Sequence, residues 1–242
     1  MRLLLINPNT RESMTAHMVE AAQRAASLET RIDGLTVSDS VPFIDGYYDD
    51  TVAAAAVVRS VSERDGTFDA AVIACFGDPG LYGAREVTAA PVVGIAEASF
   101  VLAMSLGHRF GIVSTVDRAT PGTLDLLQRY GIERRCAAVE PTGVDVLDLD
   151  DDPARAADAI EAAGRRAIAA GAEVLCLGCG AMVGTRELLE ERLRVPVVEA
   201  VPAAVRLAES LVALDLRTSK LRAFSRPATL SLGGERRTRG SL

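Results

Sequence analysis

The two halves of this chain repeat each other, and the repeat constrains the fold more than any other feature. Segment 3–7 is a short apolar run ending in Asn7 and stopped by Pro8; segment 110–115 is its counterpart, ending in Ser114-Thr115. A second apolar run, 69–75, ends in Cys75 and the turn Gly77-Asp78-Pro79-Gly80; its counterpart, 174–179, ends in Cys179. Third runs follow at 91–95 and 195–198. Asn7 and Cys75 are 68 positions apart, and Ser114 and Cys179 are 65 apart. From each cysteine to the proline of the next run, Pro91 or Pro196, is 16 or 17 positions. A period of a little over 100 residues is too long for a solenoid repeat and suits two similar α/β units.

Between the runs lie helical stretches, such as 51–64 and the segment holding Met14, Met18, Ala21 and Ala22, which Asn9 or Thr10 is placed to cap. Buried apolar strands alternating with helices predict parallel sheets covered on both faces. The expected fold is α/β: two pseudo-symmetric lobes, each a short parallel sheet flanked by helices, with the active site in the cleft between them. The expected division is an N-terminal lobe over 1–98, joined by a C-terminal helix at about 203–220, and a second lobe over 99–202. Residues 221–242, rich in Arg, Gly, Ser and Thr towards the end, read as a flexible or loosely docked tail.

Each half carries a cysteine at the carboxyl end of a strand, the edge at which open α/β sheets bind ligands. If the lobes face each other, Cys75 and Cys179 address one cleft from opposite sides. Cys136, after a charged turn, and Cys176, inside a strand, read as small buried hydrophobes. The Cys176-x-x-Cys179 spacing does not make a zinc site, because no second Cys/His pair lies nearby, and strand residues three apart point to opposite faces.

Composition narrows the chemistry further. Among 242 residues, Asp and Glu outnumber Lys and Arg by 33 to 26, for a net charge of -7, which argues against a nucleic-acid or anionic-membrane partner. No apolar run approaches the ~18–20 residues that span a bilayer. The run 3–6 is too short for a signal-peptide core, so a cytoplasmic protein is expected. The chain has one lysine, Lys220, near its C-terminal end, which disfavours a pyridoxal Schiff base. Its two histidines, His17 and His108, stand outside any nucleophile-elbow context and read as a helix-surface residue and a turn residue. The thiols remain, and neither a cofactor nor a metal is expected.

Two thiols across a cleft suit proton transfer at a carbon acid. Inversion needs a base on one face and an acid on the other, and a thiolate and a thiol exchange those roles. Backbone N–H groups in the turns after the cysteines could stabilise the developing enolate oxygen. Pro42-Phe-Ile-Asp-Gly-Tyr-Tyr-Asp-Asp50 reads either as a loop over the cleft, with Phe43, Ile44 or Tyr47 against a substrate, or as an ordinary turn into the helix at Thr51. Glu97 reads either as a site residue or as a helix-starting carboxylate, and the acidic run at 148–152 as a helix cap.

Five segments carry a resemblance. Ile6-Asn-Pro-Asn-Thr10, Ala74-Cys-Phe-Gly-Asp-Pro-Gly80, Gly94-Ile-Ala-Glu-Ala98, Leu177-Gly-Cys-Gly-Ala-Met182 and Leu216-Arg-Thr-Ser-Lys220 resemble the hydantoin racemase family, within the aspartate/glutamate racemase superfamily. The resemblance spans about residues 3–220. It implies two pseudo-symmetric α/β lobes, no cofactor, and catalytic cysteines at Cys75 and Cys179. By position it implies substrate-binding roles for Asn7, Thr10, Phe76, Gly77, Asp78, Thr115 and Gly180, with Ile44 added from the loop reading. Where the family's strand often ends Thr-Thr, this chain has Ser114-Thr115 and keeps both hydroxyls.

The expected activity is cofactor-independent racemisation of a small carbon acid of the hydantoin type, a 5-substituted hydantoin or allantoin, by a homo-oligomer. The alternatives are an amino-acid racemase, a maleate-isomerase-like enzyme on the same fold, and a non-catalytic two-lobed ligand-binding protein. The last has no need of a thiol at both strand ends. A one-cysteine decarboxylase is disfavoured for the same reason.

Overall fold

A computed structural model describes residues 1–144 and 153–228 of the chain. The acidic run at 148–152 and residues 229–242 of the tail lie outside the described residues. The first half runs β1 (Arg2–Asn7), α1 (Glu12–Ala25), β2 (Arg31–Thr36), α2 (Tyr47–Glu63), β3 (Ala70–Ile73), α3 (Leu81–Val87), β4 (Val92–Gly94) and α4 (Ile95–Leu106). The second runs β5 (Phe110–Ser114), α5 (Thr120–Tyr130), β6 (Cys136–Pro141), α6 (Pro153–Ala169), β7 (Val174–Leu177), α7 (Arg186–Leu193), β8 (Val197–Glu199) and α8 (Ala200–Ala213).

The strands form two four-stranded parallel sheets of identical topology, β2-β1-β3-β4 and β6-β5-β7-β8. In each, the strand order reverses beside the first strand, so a crevice opens at the carboxyl ends of β1 and β3, and of β5 and β7. Ile6 pairs with Ile73 there, and Val113 with Leu177.

The inner strands are apolar throughout because both faces are covered. Leu3, Leu5 and Val72 point into a central cluster, while Leu4, Ile6 and Ile73 point outward under α2 and α3. In the second sheet Ile112 and Cys176 point inward, and Val113, Leu175 and Leu177 outward under α6 and α7.

The central cluster joins the two sheets, and the helices that fill it cross over. Helix α4 leaves the first sheet at β4 and packs on β5, β7 and β8 of the second. Helix α8 leaves the second sheet at β8 and packs on β3 and β4 of the first. The two helices also pack on each other. Phe100 of α4 stacks on Phe110 with ring centroids 5.3 Å apart and meets Phe76 edge-on at 5.5 Å. At the other side of α8, buried Glu209 accepts hydrogen bonds from the Ser27 N–H (2.7 Å) and the Thr30 hydroxyl (2.5 Å), tying the helix to the loop before β2.

Two local expectations need correction. Helix α1 starts at Glu12 with Arg11 as its N-cap, and neither Asn9 nor Thr10 caps it. The Asn9 carboxamide accepts the Arg11 N–H instead, so its bond is spent in the loop before the helix. The last helix ends at Ala213 rather than near residue 220, because Asp215 turns into the left-handed region at φ 52°. Beyond it, the described part of the tail docks on α3. Lys220 donates to the Glu86 carbonyl, and the Phe224 ring lies 5.7 Å from that of Tyr82 and under the Arg85 guanidinium.

Candidate active site

The carboxyl ends of β1, β3, β5 and β7 open onto one cavity of about 160 Å3. Cys75 and Cys179 both line it. Their surroundings match. Each lies two residues past its strand, in a turn closed three residues on: the Asp78 N–H donates to the Cys75 carbonyl at 3.0 Å, and the Met182 N–H to that of Cys179 at 3.1 Å. Each sulfur receives the backbone N–H two residues later, that of Gly77 at Cys75 and that of Ala181 at Cys179, the latter at 3.5 Å. Such a donor favours the thiolate over the thiol. The duplicated sequence therefore produces duplicated chemistry, one thiol and one aimed amide per sheet.

Burial pushes the Cys75 thiol up to about 12, against the pull of the Gly77 N–H, and the carboxylates of Asp50 and Asp78 and the neighbouring Cys179 push the same way. Cys75 thus carries its proton at neutral pH. Burial also holds the Asp50 carboxyl above its usual range, with Arg129 opposing.

Of the residues expected at the site, Ile44, Phe76, Gly77, Thr115 and Gly180 line the cavity with the two cysteines. Gly180 is needed where it stands, since a Cβ there would lie 2.7 Å from the Met18 sulfur and 3.1 Å from the Ala74 carbonyl oxygen of the other half. Asn7, Thr10 and Asp78 do not line it. The Asn7 side chain turns back into its own loop, donating to Asn9, the Arg11 carbonyl and Thr15. Thr10 is held through its backbone N–H to the Val41 carbonyl. Asp78 is buried at the start of α4, where it accepts the N–H groups of Ala96 (3.0 Å) and Glu97 (2.9 Å) and the Tyr130 hydroxyl (2.7 Å). Its carboxyl group rests on Gly94, where no Cβ fits. Asn7, through Asn9, and Asp78, in the turn after Cys75, brace the walls from behind.

Other expectations resolve in the same way. Glu97 pairs with Arg85, 3.1 Å away, and stays off the cavity. Cys176 faces away from Cys179, with its sulfur 3.8 Å from the Ser99 carbonyl oxygen. Cys136 starts β6 half-buried against the central cluster, as an edge strand allows. His17 and His108 are exposed.

The loop 43–47 forms one side of the cavity and reaches the other half. Asp45 lies 3.5 Å from Arg118, and the Tyr47 hydroxyl donates to Asp125 at 2.7 Å. Asn9, Asp50, Ser114, Arg118, Asp125 and Arg129 are wall residues that sequence reasoning did not assign. Ser114 was marked by the repeat, as the counterpart of Asn7. The charged ones carry no signal in sequence, because they come from helices whose approach to the cleft only the fold fixes.

The Asp/Glu/Hydantoin racemase family model matches residues 3–208. A hydantoin racemase of Pseudomonas sp. (strain NS671) is 39% identical over 230 residues, covering 94% of this chain and 92% of its own. The crystal structure of an allantoin racemase from Pseudomonas fluorescens is similar with a TM-score of 0.93 at 42% identity, covering 97% of this chain and 100% of that one. An allantoin racemase from Klebsiella pneumoniae gives 0.92 at 38% identity, with 97% of each chain covered. With its matched thiols at the ends of twin sheets and likeness of this extent, the chain belongs to the Asp/Glu/hydantoin racemase family and is an isomerase, a racemase.

Proposed function

We propose that this enzyme racemises a hydantoin-type ureide, a 5-substituted hydantoin or allantoin, by passing a proton across the ring carbon between Cys75 and Cys179. The observation that carries the reading is the pair of thiols, each with its own backbone N–H, opening from equivalent strand ends onto one small cavity. One sulfur, as thiolate, takes the proton from the carbon. The pair of electrons left behind moves onto the adjacent carbonyl oxygen. The other sulfur, as thiol, returns a proton to the opposite face. The backbone N–H groups of Phe76 and Gly180 and the hydroxyls of Ser114 and Thr115, all on cavity-wall residues, suit the enolate oxygen. The relatives named as hydantoin and allantoin racemases support the substrate class. A cytosolic setting, which keeps thiols reduced, fits the chemistry.

The test is the decay of optical rotation with a panel of L-hydantoins, L-allantoin and free L-amino acids. Decay with ureides and none with the amino acids is expected. Decay with amino acids alone, or with nothing, overturns the reading.

A further inference from the structure

Asp50 stands in the first turn of α2 and lines the cavity together with Cys75 and Gly77. Its Oδ1 is 3.1 Å from where a Cβ on Gly77 would sit, so it lies against the turn whose N–H bonds the Cys75 sulfur. The other carboxylates of the wall are engaged across the cavity, Asp45 with Arg118 and Asp125 with the Tyr47 hydroxyl. Among the described residues, Asp50 has no hydrogen-bond donor on its carboxylate. Its favourable interaction is with the more distant charge of Arg129. A part-buried carboxylate without a donor is costly, and next to a thiol that must ionise during turnover it is costlier still. A ligand that brings a donor removes both costs.

We propose that Asp50 is a specificity-determining residue whose carboxylate accepts a hydrogen bond from a ring N–H of the ureide. This rests on the substrate class proposed above. The assignment follows from how the wall sorts its groups. A carboxylate only accepts. Backbone N–H groups donate, and hydroxyls adapt. The ureide ring carries carbonyls and N–H groups in alternation, so its carbonyls suit the turns and hydroxyls, and an N–H suits Asp50. Bound in this way, the N–H also offsets the negative charge beside Cys75 when that sulfur becomes a thiolate.

The experiment compares hydantoin, 1-methylhydantoin and 3-methylhydantoin, which are achiral at the reacting carbon, for binding by calorimetry. Racemisation of 5-methylhydantoin and its two N-methyl derivatives is followed alongside. The proteins are wild type, Asp50→Ala and Asp50→Asn. A charge-assisted bond to a buried group makes methylation at one of the two nitrogens weaken wild-type binding about tenfold or more. The same methylation should cost Asp50→Ala less than about twofold. Asp50→Asn keeps the size of the side chain and loses the charge. A penalty from the bulk of the methyl group alone persists unchanged in that variant, whereas a lost charge-assisted bond gives a smaller penalty. Equal penalties in wild type and Asp50→Asn, or no penalty at either nitrogen in wild type, overturn the proposal. If wild type racemises ureides yet shows either result, the substrate class stands and Asp50's role falls. If wild type neither binds nor racemises any ureide, both fall.

Discussion

Cys75 and Cys179 occupy equivalent turns, and a thiol that keeps its proton, as Cys75 does, is ready to act as an acid. Replacing either by serine puts in its place a hydroxyl whose proton is held far too tightly for this work. Racemisation should fall by three orders of magnitude or more in both Cys75→Ser and Cys179→Ser, of the size expected when a general acid or base is removed. Exchange of the carbon-bound hydrogen with deuterium oxide should survive unevenly. Each variant keeps one sulfur, which still removes a proton from its own face and returns deuterium there. Proton NMR of each pure enantiomer in deuterium oxide should show the two variants preferring opposite hands. Near wild-type racemisation in either, or the same preference in both, would contradict the two-sulfur mechanism. At this scale the sequence was informative about which residues matter and less so about how. Asn7 and Asp78 stand in the motifs, but a motif does not say whether a side chain faces the cleft or turns behind it. Both turn behind it, because the groups they satisfy are the N–H, carbonyl and hydroxyl groups of their own loops and helix ends.

Helix α4 illustrates how an element is held. Its first N–H groups end on Asp78, which the Tyr130 hydroxyl of α5 also reaches, so one carboxylate joins elements from both halves. Burial raises this carboxyl from 3.8 to about 7, overcoming the three donors. The sign of the pH effect follows. The folded state holds the proton more tightly than the unfolded chain, so the group's contribution to stability is complete below about pH 4 and is lost as pH rises through 7. Urea unfolding at pH 5 and pH 8 should show the wild type losing stability between them, by about a kcal/mol or more from this group. Asp78→Asn, which cannot titrate, should lose less; an equal loss in both proteins would exclude Asp78 as the source. Elements with an unbroken apolar run were readable in advance, as β1, β3, β5 and β7 were. The edge strands β2 and β6 were not. Arg31–Thr36 mixes buried and exposed positions, and Cys136–Pro141 is half-buried throughout. The opposite edge strands, β4 and β8, are buried and showed as apolar runs, so it is the partial exposure of β2 and β6 that weakens the pattern in their sequence.

The molecule as a whole is held by the crossing of α4 and α8, each leaving one sheet to cover the other. The duplication was visible in spacing alone, but the crossing was not. Both helices are apolar on several sides, which says that they are buried without saying against which half. Neither half should therefore fold alone. Residues 1–107 would carry α4 with nothing to cover and leave β3 and β4 bare; residues 108–242 would have the mirror-image fault. Expressed separately, the halves should give collapsed or aggregated chains without a cooperative unfolding transition. Refolded together, they should recover one transition and racemase activity. A half that folds cooperatively by itself would show the crossing to be dispensable.

That crossing also bears on ancestry. A single-unit forebear with one sheet and one trailing helix would have had a bare sheet face and a helix with no seat. Two copies related by a two-fold axis could each have lent the other its helix, an exchanged dimer of the kind that closed symmetry permits. Joining the copies end to end would leave every contact in place and free each active-site wall to change by itself. Asp50, which lines the cavity beside the Cys75 turn, is a wall residue of the kind such freedom lets one half acquire.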